Sequence, residues 1–231
     1  MKKFIVLLPV LLLAVSAQGA TLFTEDFEGY ADTAAMVATE KWDTCGAAIA
    51  IDTSTVHGGS QSLGSGNTRD TATAHWPAAS ASPANPVVIS WWSYDTMDHA
   101  TYARNGGISV GGYDSGIWGS GALQNYVYLG PYHTNGLATV NYRAVYGCGW
   151  QSGTVNRAVA WVNMVITLDG STIVGTVDGV TTTTATNACT EPAAGWSCMR
   201  LFSAATDSFN TAYYDDIEIT GTVAVDEWTL Y

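Results

Sequence analysis

Two Asp-Gly pairs, Asp169-Gly170 and Asp178-Gly179, divide the run from Trp161 to Thr184 into three β-rich stretches and constrain how that part of the chain can fold. Asp-Gly between alternating runs is the strongest short-range hairpin signal. A type I′ turn takes positive φ at both central residues, and glycine adopts that conformation without strain. The sequence therefore predicts a three-stranded antiparallel meander here. In its first strand Val162, Met164, Ile166 and Leu168 share one face, which is expected to be buried, with Asn163, Val165 and Thr167 opposite.

The remaining chain reads as more of the same. Strands are expected at 21–30, 47–51, after the Gly/Ser turn His57-Gly-Gly-Ser-Gln-Ser-Leu63, at 72–76 and at 86–94. The last of these places Val88, Ser90, Trp92 and Tyr94 on one face and Val87, Ile89, Trp91 and Ser93 on the other. Bulk on both faces suits a central strand whose outer side is covered or binds something. In 21–30, Leu22 and Phe27 fall on opposite phases, which predicts a bend near Glu25 and sets Asp26 and Glu28 together on the side away from Phe27. A short helical turn is expected within 31–41, and Trp42 reads as core. Further strands are expected at 106–112, 125–129, 138–146, 199–203 and 212–220, with a long Gly/Ser loop at 113–124 that carries Trp118. About a dozen short strands and no helix of consequence define the class: all-β, a two-sheet antiparallel β-sandwich.

Residues 1–20 have the form of a signal peptide, with Lys2 and Lys3 before the apolar run Phe4 to Val15 and the small residues Ser16 to Ala20 after it. The expected organisation is a signal peptide at 1–20 and one domain at 21–231, with a secreted or cell-surface location. No membrane span is expected after removal of the signal. Lys2 and Lys3 belong to that segment, so two of the eight Lys and Arg residues leave with it and six basic residues face twenty acidic ones. Without a basic stripe to neutralise phosphates, nucleic acid is excluded as a partner.

Four cysteines, Cys45, Cys148, Cys189 and Cys198, in an oxidising compartment point to disulfides, and three connectivities are open. Cys189 with Cys198 closes a short loop, worth roughly 2–3 kcal/mol on chain entropy, which leaves Cys45 with Cys148. A zinc site is the weaker alternative, since no C-x-x-C spacing accompanies them.

Four motifs in order, Glu25-Asp-Phe-Glu-Gly29, His57-Gly-Gly-Ser-Gln-Ser-Leu63, the Trp161 to Gly179 run ending in Val-Asp-Gly, and Tyr214-Asp-Asp-Ile-Glu-Ile219, resemble the concanavalin A-like lectin/glucanase superfamily. Within it the chain is similar to laminin-G-like and MAM-like jelly rolls and to secreted bacterial domains of that type. The resemblance implies a jelly roll with its first and last strands side by side. It also implies a structural calcium ion, held by Asp26, Glu28, Asp215 and Asp216. Four clustered carboxylates repel one another unless a cation neutralises them, and calcium takes hard oxygen ligands. By alternation Asp215 shares phase with Ile217 and Ile219, so Asp216 is the outward partner of Glu28.

The chemistry of the superfamily's enzymes is not written in this chain. Its glycoside hydrolases carry E-x-D-x-x-E on one strand, and that pattern is missing here. Its polysaccharide lyases use Arg, His and Tyr on a sheet face; the sequence offers Tyr132, His133, Tyr142 and Arg143 without the Arg-rich or Gln-x-His strands. No G-x-S-x-G elbow or metalloprotease pattern occurs. The functional expectation is non-catalytic binding of a polysaccharide or glycan, with sugar rings stacked on exposed aromatics. Trp92, Tyr94, Trp118, Tyr142 and Arg143 are the candidate ligand residues. The competing readings are that the nine tryptophans are core, or that the domain is a structural cell-surface, matrix or filament subunit capable of self-assembly.

Overall fold

The computed structural model describes residues 19–65, 70–97, 106–112, 127–131, 141–146, 149–186, 195–201 and 211–223. Residues 1–18 of the expected signal peptide, together with Trp118, Tyr132, His133, Cys148 and Cys189, lie outside those residues, while Ala20 already belongs to the first strand.

Among the described residues fifteen strands form two antiparallel sheets. In chain order they are β1 (Ala20–Glu25), β2 (Trp42–Cys45), β3 (Ile49–Asp52), β4 (Ser62–Ser65), β5 (Ala72–Ala79), β6 (Val87–Asp95), β7 (Ile108–Gly111) and β8 (Val127–Pro131), then β9 (Asn141–Tyr146), β10 (Gly149–Asn156), β11 (Trp161–Leu168), β12 (Thr172–Val177), β13 (Val180–Thr186), β14 (Trp196–Leu201) and β15 (Ala212–Gly221). The eight-stranded sheet runs β13-β12-β11-β6-β15-β4-β3, with β1 also paired to β15; the seven-stranded sheet runs β10-β9-β8-β7-β14-β5-β2. The count exceeds the expected dozen partly because the four-residue β2 carries too little pattern to read.

The meander forms as expected. Val162, Met164, Ile166 and Leu168 are all buried. Asp178-Gly179 makes the predicted two-residue turn, with φ of 49° and 75°, between the paired Val177 and Val180. Asp169-Gly170 differs. Leu168 pairs with Ile173, so the connection is four residues long and only Gly170 has positive φ. Asp169 caps it, accepting hydrogen bonds from the Ser171 N–H at 2.9 Å and from the Thr172 N–H.

Alternation on β6 places Val87, Ile89, Trp91 and Ser93 inside and Val88, Ser90, Trp92 and Tyr94 half-exposed outside. The core between the sheets joins these inner residues to Met164, Ile166, Leu201, Tyr214, Ile217 and Ile219. Trp42 is core, 1% exposed. A single helix among the described residues, α1 (Thr33–Val37), is capped by the Asp32 carboxylate and drops Met36 into the same core. One flank of the sandwich is closed by hydrogen bonds between edge strands: the Thr154 and Val155 N–H groups of β10 donate to Thr182 Oγ1 of β13, at 3.0 and 3.3 Å.

Strand β15 organises the larger sheet. One edge pairs with β6; the other pairs with β4 through Ala212–Tyr214 and with β1 through Ile217 to Gly221. First and last strands therefore lie side by side. Where the partner changes, one extra residue enters β15 between Asp215, opposite Trp92, and Glu218, opposite Ser90; Asp216 takes φ 47° there.

Cys45 carries a free thiol, which burial pushes up to about 11; its expected partner Cys148 lies outside the described residues. Cys198 is buried on β14 and is not joined to Cys45.

Candidate functional site

The outer face of the larger sheet carries a row of aromatic side chains. Tyr94 on β6 lies opposite Trp161 on β11 and Tyr213 on β15, and Tyr213 lies opposite Gly64 on β4. Ring centroids are 5.6 Å apart for Tyr94–Trp161 and 6.1 Å for Tyr94–Tyr213, both edge-on at 63° and 73°. A Cβ on Gly64 would sit 2.8 Å from Cδ1 and Cε1 of Tyr213, so the missing side chain is what lets that ring lie over β4. Trp92, two residues along β6, stands in the next row between Asn163 and Asp215. All four aromatics are half-exposed.

His57 completes the surface from a loop. Its imidazole stacks on Trp92 with centroids 3.8 Å apart and planes 16° from parallel, and meets Trp161 edge-on at 5.6 Å. Its Nδ1 is 2.7 Å from the Asp216 carboxylate.

The acidic residues explain why the loop stays there. Asp215 Oδ2 accepts hydrogen bonds from the His57 and Gly58 N–H groups at 3.0 and 3.2 Å, and its Oδ1 accepts from the Asp216 N–H at 2.9 Å. Glu28 accepts from the Ser60 N–H, the Ser60 hydroxyl and the Gln61 N–H, at 2.7, 2.7 and 2.8 Å. Both are charge-assisted clasps on backbone donors. Hydrogen bonds from Ser60 and Gln61 hold the Glu28 carboxyl below its ordinary range. Asp215 is raised to about 6, chiefly by burial, against the pull of its loop donors and with a further push from Asp216.

These carboxylates do not fit the calcium site that the resemblance implies. The oxygens of Glu28 and Asp215 are turned onto N–H and O–H donors, Asp216 faces His57, and Asp26 Oδ1 accepts the Glu28 N–H at 3.1 Å. Among the described residues no group of three or more His, Cys, Asp and Glu side chains is placed to hold a metal. Asp216 is outward, with 41% of its side chain exposed, but the bulge breaks the expected alternation: Asp215 is opposite the outward-facing Trp92 and is buried under the His57–Gly58 loop, out of phase with Ile217.

Glu25, the position of the expected bend, also has a structural role that periodicity does not indicate. Its carboxylate is 4% exposed and accepts hydrogen bonds from the Phe27 N–H, the Tyr30 hydroxyl and Trp42 Nε1 at 2.9, 3.0 and 2.9 Å, with Lys41 Nζ at 3.4 Å. It turns the chain at the end of β1, where Phe27 enters the core at φ 58°. The phase change between Leu22 and Phe27 sets the bend near Glu25 but says nothing of the donors its carboxylate gathers.

Of the five candidate ligand residues, Trp92 and Tyr94 come together on the aromatic face. Tyr142 is a correction: it is fully buried in the core, with its hydroxyl taking the Ala158 N–H at 3.4 Å, and burial raises it to about 12. A ring with no exposed face cannot stack on a ligand. Arg143 lies on β9 of the other sheet, and its side chain is outside the described residues. Trp161, Tyr213 and His57 join the face without having been singled out.

Two antiparallel sheets, paired terminal strands and the β6–β15 centre define the fold as an antiparallel β-sandwich of the jelly-roll kind. Three solved structures share that fold: a carbohydrate esterase from the Shiga toxin-encoding bacteriophage phi24B (TM-score 0.61, 9% identity, 88% of this chain and 99% of that one), the globular domain of T. cruzi calreticulin (0.57, 10%, 89% of each) and an endo-β-1,4-glucuronan lyase from the fungus Trichoderma reesei (0.51, 11%, 87% and 95%). No protein-family model matches the sequence, and no curated protein matches it.

Proposed function

We propose that the protein is a secreted, non-catalytic carbohydrate-binding domain whose ligand lies on the aromatic face of the larger sheet. The observation that carries this reading is the half-exposed set Trp161, Tyr94, Tyr213 and Trp92 on three adjacent strands, braced by His57. Burying aromatic surface is favourable, so a soluble domain that leaves four such rings side by side has kept a surface for something apolar on one side and polar on the other. Sugar rings are of that kind. The fold is shared with an esterase and a lyase of carbohydrates, which agrees with this ligand class.

The engagement of Asp216 and Glu28 supports binding over glycoside hydrolysis in this reading. Glycoside hydrolysis needs two carboxylates flanking one bond. Here Asp216 is engaged by His57 and Glu28 by the Ser60–Gln61 backbone. The form of residues 1–20 supports the secretion part of this reading.

Affinity electrophoresis through gels containing soluble polysaccharides tests the proposal. Retardation by at least one polymer, lost in Trp92→Ala at unchanged melting temperature, is the expected result. Unaltered mobility in every gel removes the carbohydrate reading.

A further inference from the structure

We infer that the polysaccharide bound by this face is uncharged, and that polyuronates and sulfated glycans are excluded; the inference rests on the carbohydrate-binding reading above. An anionic glycan is recognised by Arg or Lys paired with its carboxylates or sulfates, and a ring-stacking surface without such a partner leaves those charges to face the local field unaided.

Among the described residues, Lys41 lines one cleft with Asp216 and Glu218 beside the face, and its charge is already engaged; Arg69, Arg104 and the Arg143 side chain lie outside the described residues. Lys41 is bound to the Thr24 carbonyl and to Glu25 at the end of β1. Arg157 is buried against Asp95, Nε to Oδ2 at 2.5 Å. Arg200 belongs to β14 and Arg143 to β9, both in the other sheet.

What does border the aromatics is acidic. Asp216 stands beside His57. Glu218 projects outward from β15 in the row after Trp92. Asp178 sits at the β12–β13 turn, its carboxylate accepting the Asn163 N–H at 2.8 Å next to Trp92 in the register. His57 stacks on the face itself, and its Nδ1 is committed to Asp216. The net charge of −12 deepens the same repulsion at long range.

The rest of the surface suits hydroxyl-rich, uncharged rings. Asn163 and Ser90 flank Trp92 with neutral hydrogen-bonding groups. The Trp161–Tyr94–Tyr213 row crosses three strands, so the chain of sugars is placed across β11, β6 and β15 and not along any one of them.

The experiment uses the full chain against hydroxyethylcellulose and arabinan as uncharged polymers and polygalacturonate and heparin as anionic ones, in gels at low and at 0.5 M salt. Binding to an uncharged polymer that is insensitive to salt, without retardation by either anionic polymer at low salt, is the expected result. Tyr213→Ala and Gly64→Ala should each weaken that binding about tenfold, the scale of one lost aromatic contact. Glu218→Lys, a surface change, should begin to retain polygalacturonate at low salt. Tighter binding of the wild type to an anionic polymer overturns the inference while leaving the carbohydrate reading in place; absence of binding to all four overturns both.

Discussion

The imidazole of His57 lies flat on the indole of Trp92, 3.8 Å away, while its Nδ1 reaches Asp216 at 2.7 Å. One loop residue thus ties the aromatic face to the acidic bulge of β15. Replacing His57 with Ala uncovers Trp92 and frees Asp216. Tryptophan emission is expected to shift to longer wavelength, and glycan affinity to fall; an unchanged spectrum would show that the stack does not persist in solution.

Trp91 and Trp92 are neighbours in sequence with opposite fates. Trp91 is fully buried, and Trp91→Ala should cost about 3–5 kcal/mol, as large aromatic truncations in cores do. Trp92→Ala should cost much less and abolish binding. Urea denaturation of both variants beside the binding assay separates the two effects.

Glu25 is a buried carboxylate serving three donors and Lys41. Glu25→Ala strips the partners from the Phe27 N–H, the Tyr30 hydroxyl and the Trp42 indole together, and a loss of about 3–5 kcal/mol is expected. Lys41→Ala, which removes an exposed partner, should lose about 1 kcal/mol or less by the same denaturation measurement.

Asp215 gives stability a pH dependence of definite sign. Its folded value is about 6 against an ordinary 3.8, so between those values the folded state holds the proton more tightly than the unfolded chain does. This contribution is fully present below pH 3.8 and is lost as pH rises through 6. Asp52 and Asp169, held low by their turn donors, act in the opposite sense as pH falls below their ordinary range. Comparing melts of the wild type and Asp215→Asn from pH 4 to 7 isolates the Asp215 part: the variant should lack the decline.

Glu28 holds the 57–61 loop through N–H and O–H donors. Glu28→Gln should lower the melting temperature equally in calcium and in chelator, because the lost partners are loop groups. A loss seen only in calcium would assign Glu28 to a metal instead.

The sequence revealed what local periodicity controls. β6 alternates strictly, so its inner and outer faces were legible to the residue, and Trp92 and Tyr94 with them. The Asp178-Gly179 turn was legible for the same reason, its conformation being set by two adjacent residues. Tyr142 was not: alternation separates it from Arg143 but does not say which of the two faces inward, and that depends on packing between β9 and β10. Trp161 and Tyr213 were visible as aromatics in strands, yet the register that brings both beside Tyr94 joins residues far apart in the chain. The His57 contact with Asp216 spans 159 residues. The carboxylates were recognised as a group, and their use was not, since whether they meet a cation or backbone donors is decided by where the 57–61 loop settles.

The exchange of partners along β15 also sets an order of events during synthesis. β6 leaves the ribosome with no strand beside it, gains β11 on one edge, and waits for the chain to reach residue 212 before its other edge is covered. β1 and β4 wait for that same strand, β1 from the very start of the domain. Until β15 arrives, three strands present open edges, and such edges invite pairing with other chains. A nascent chain stalled or cut before Ala212 is therefore a template for aggregation, and chaperone protection matters most over the interval between completion of the meander and release of the last strand.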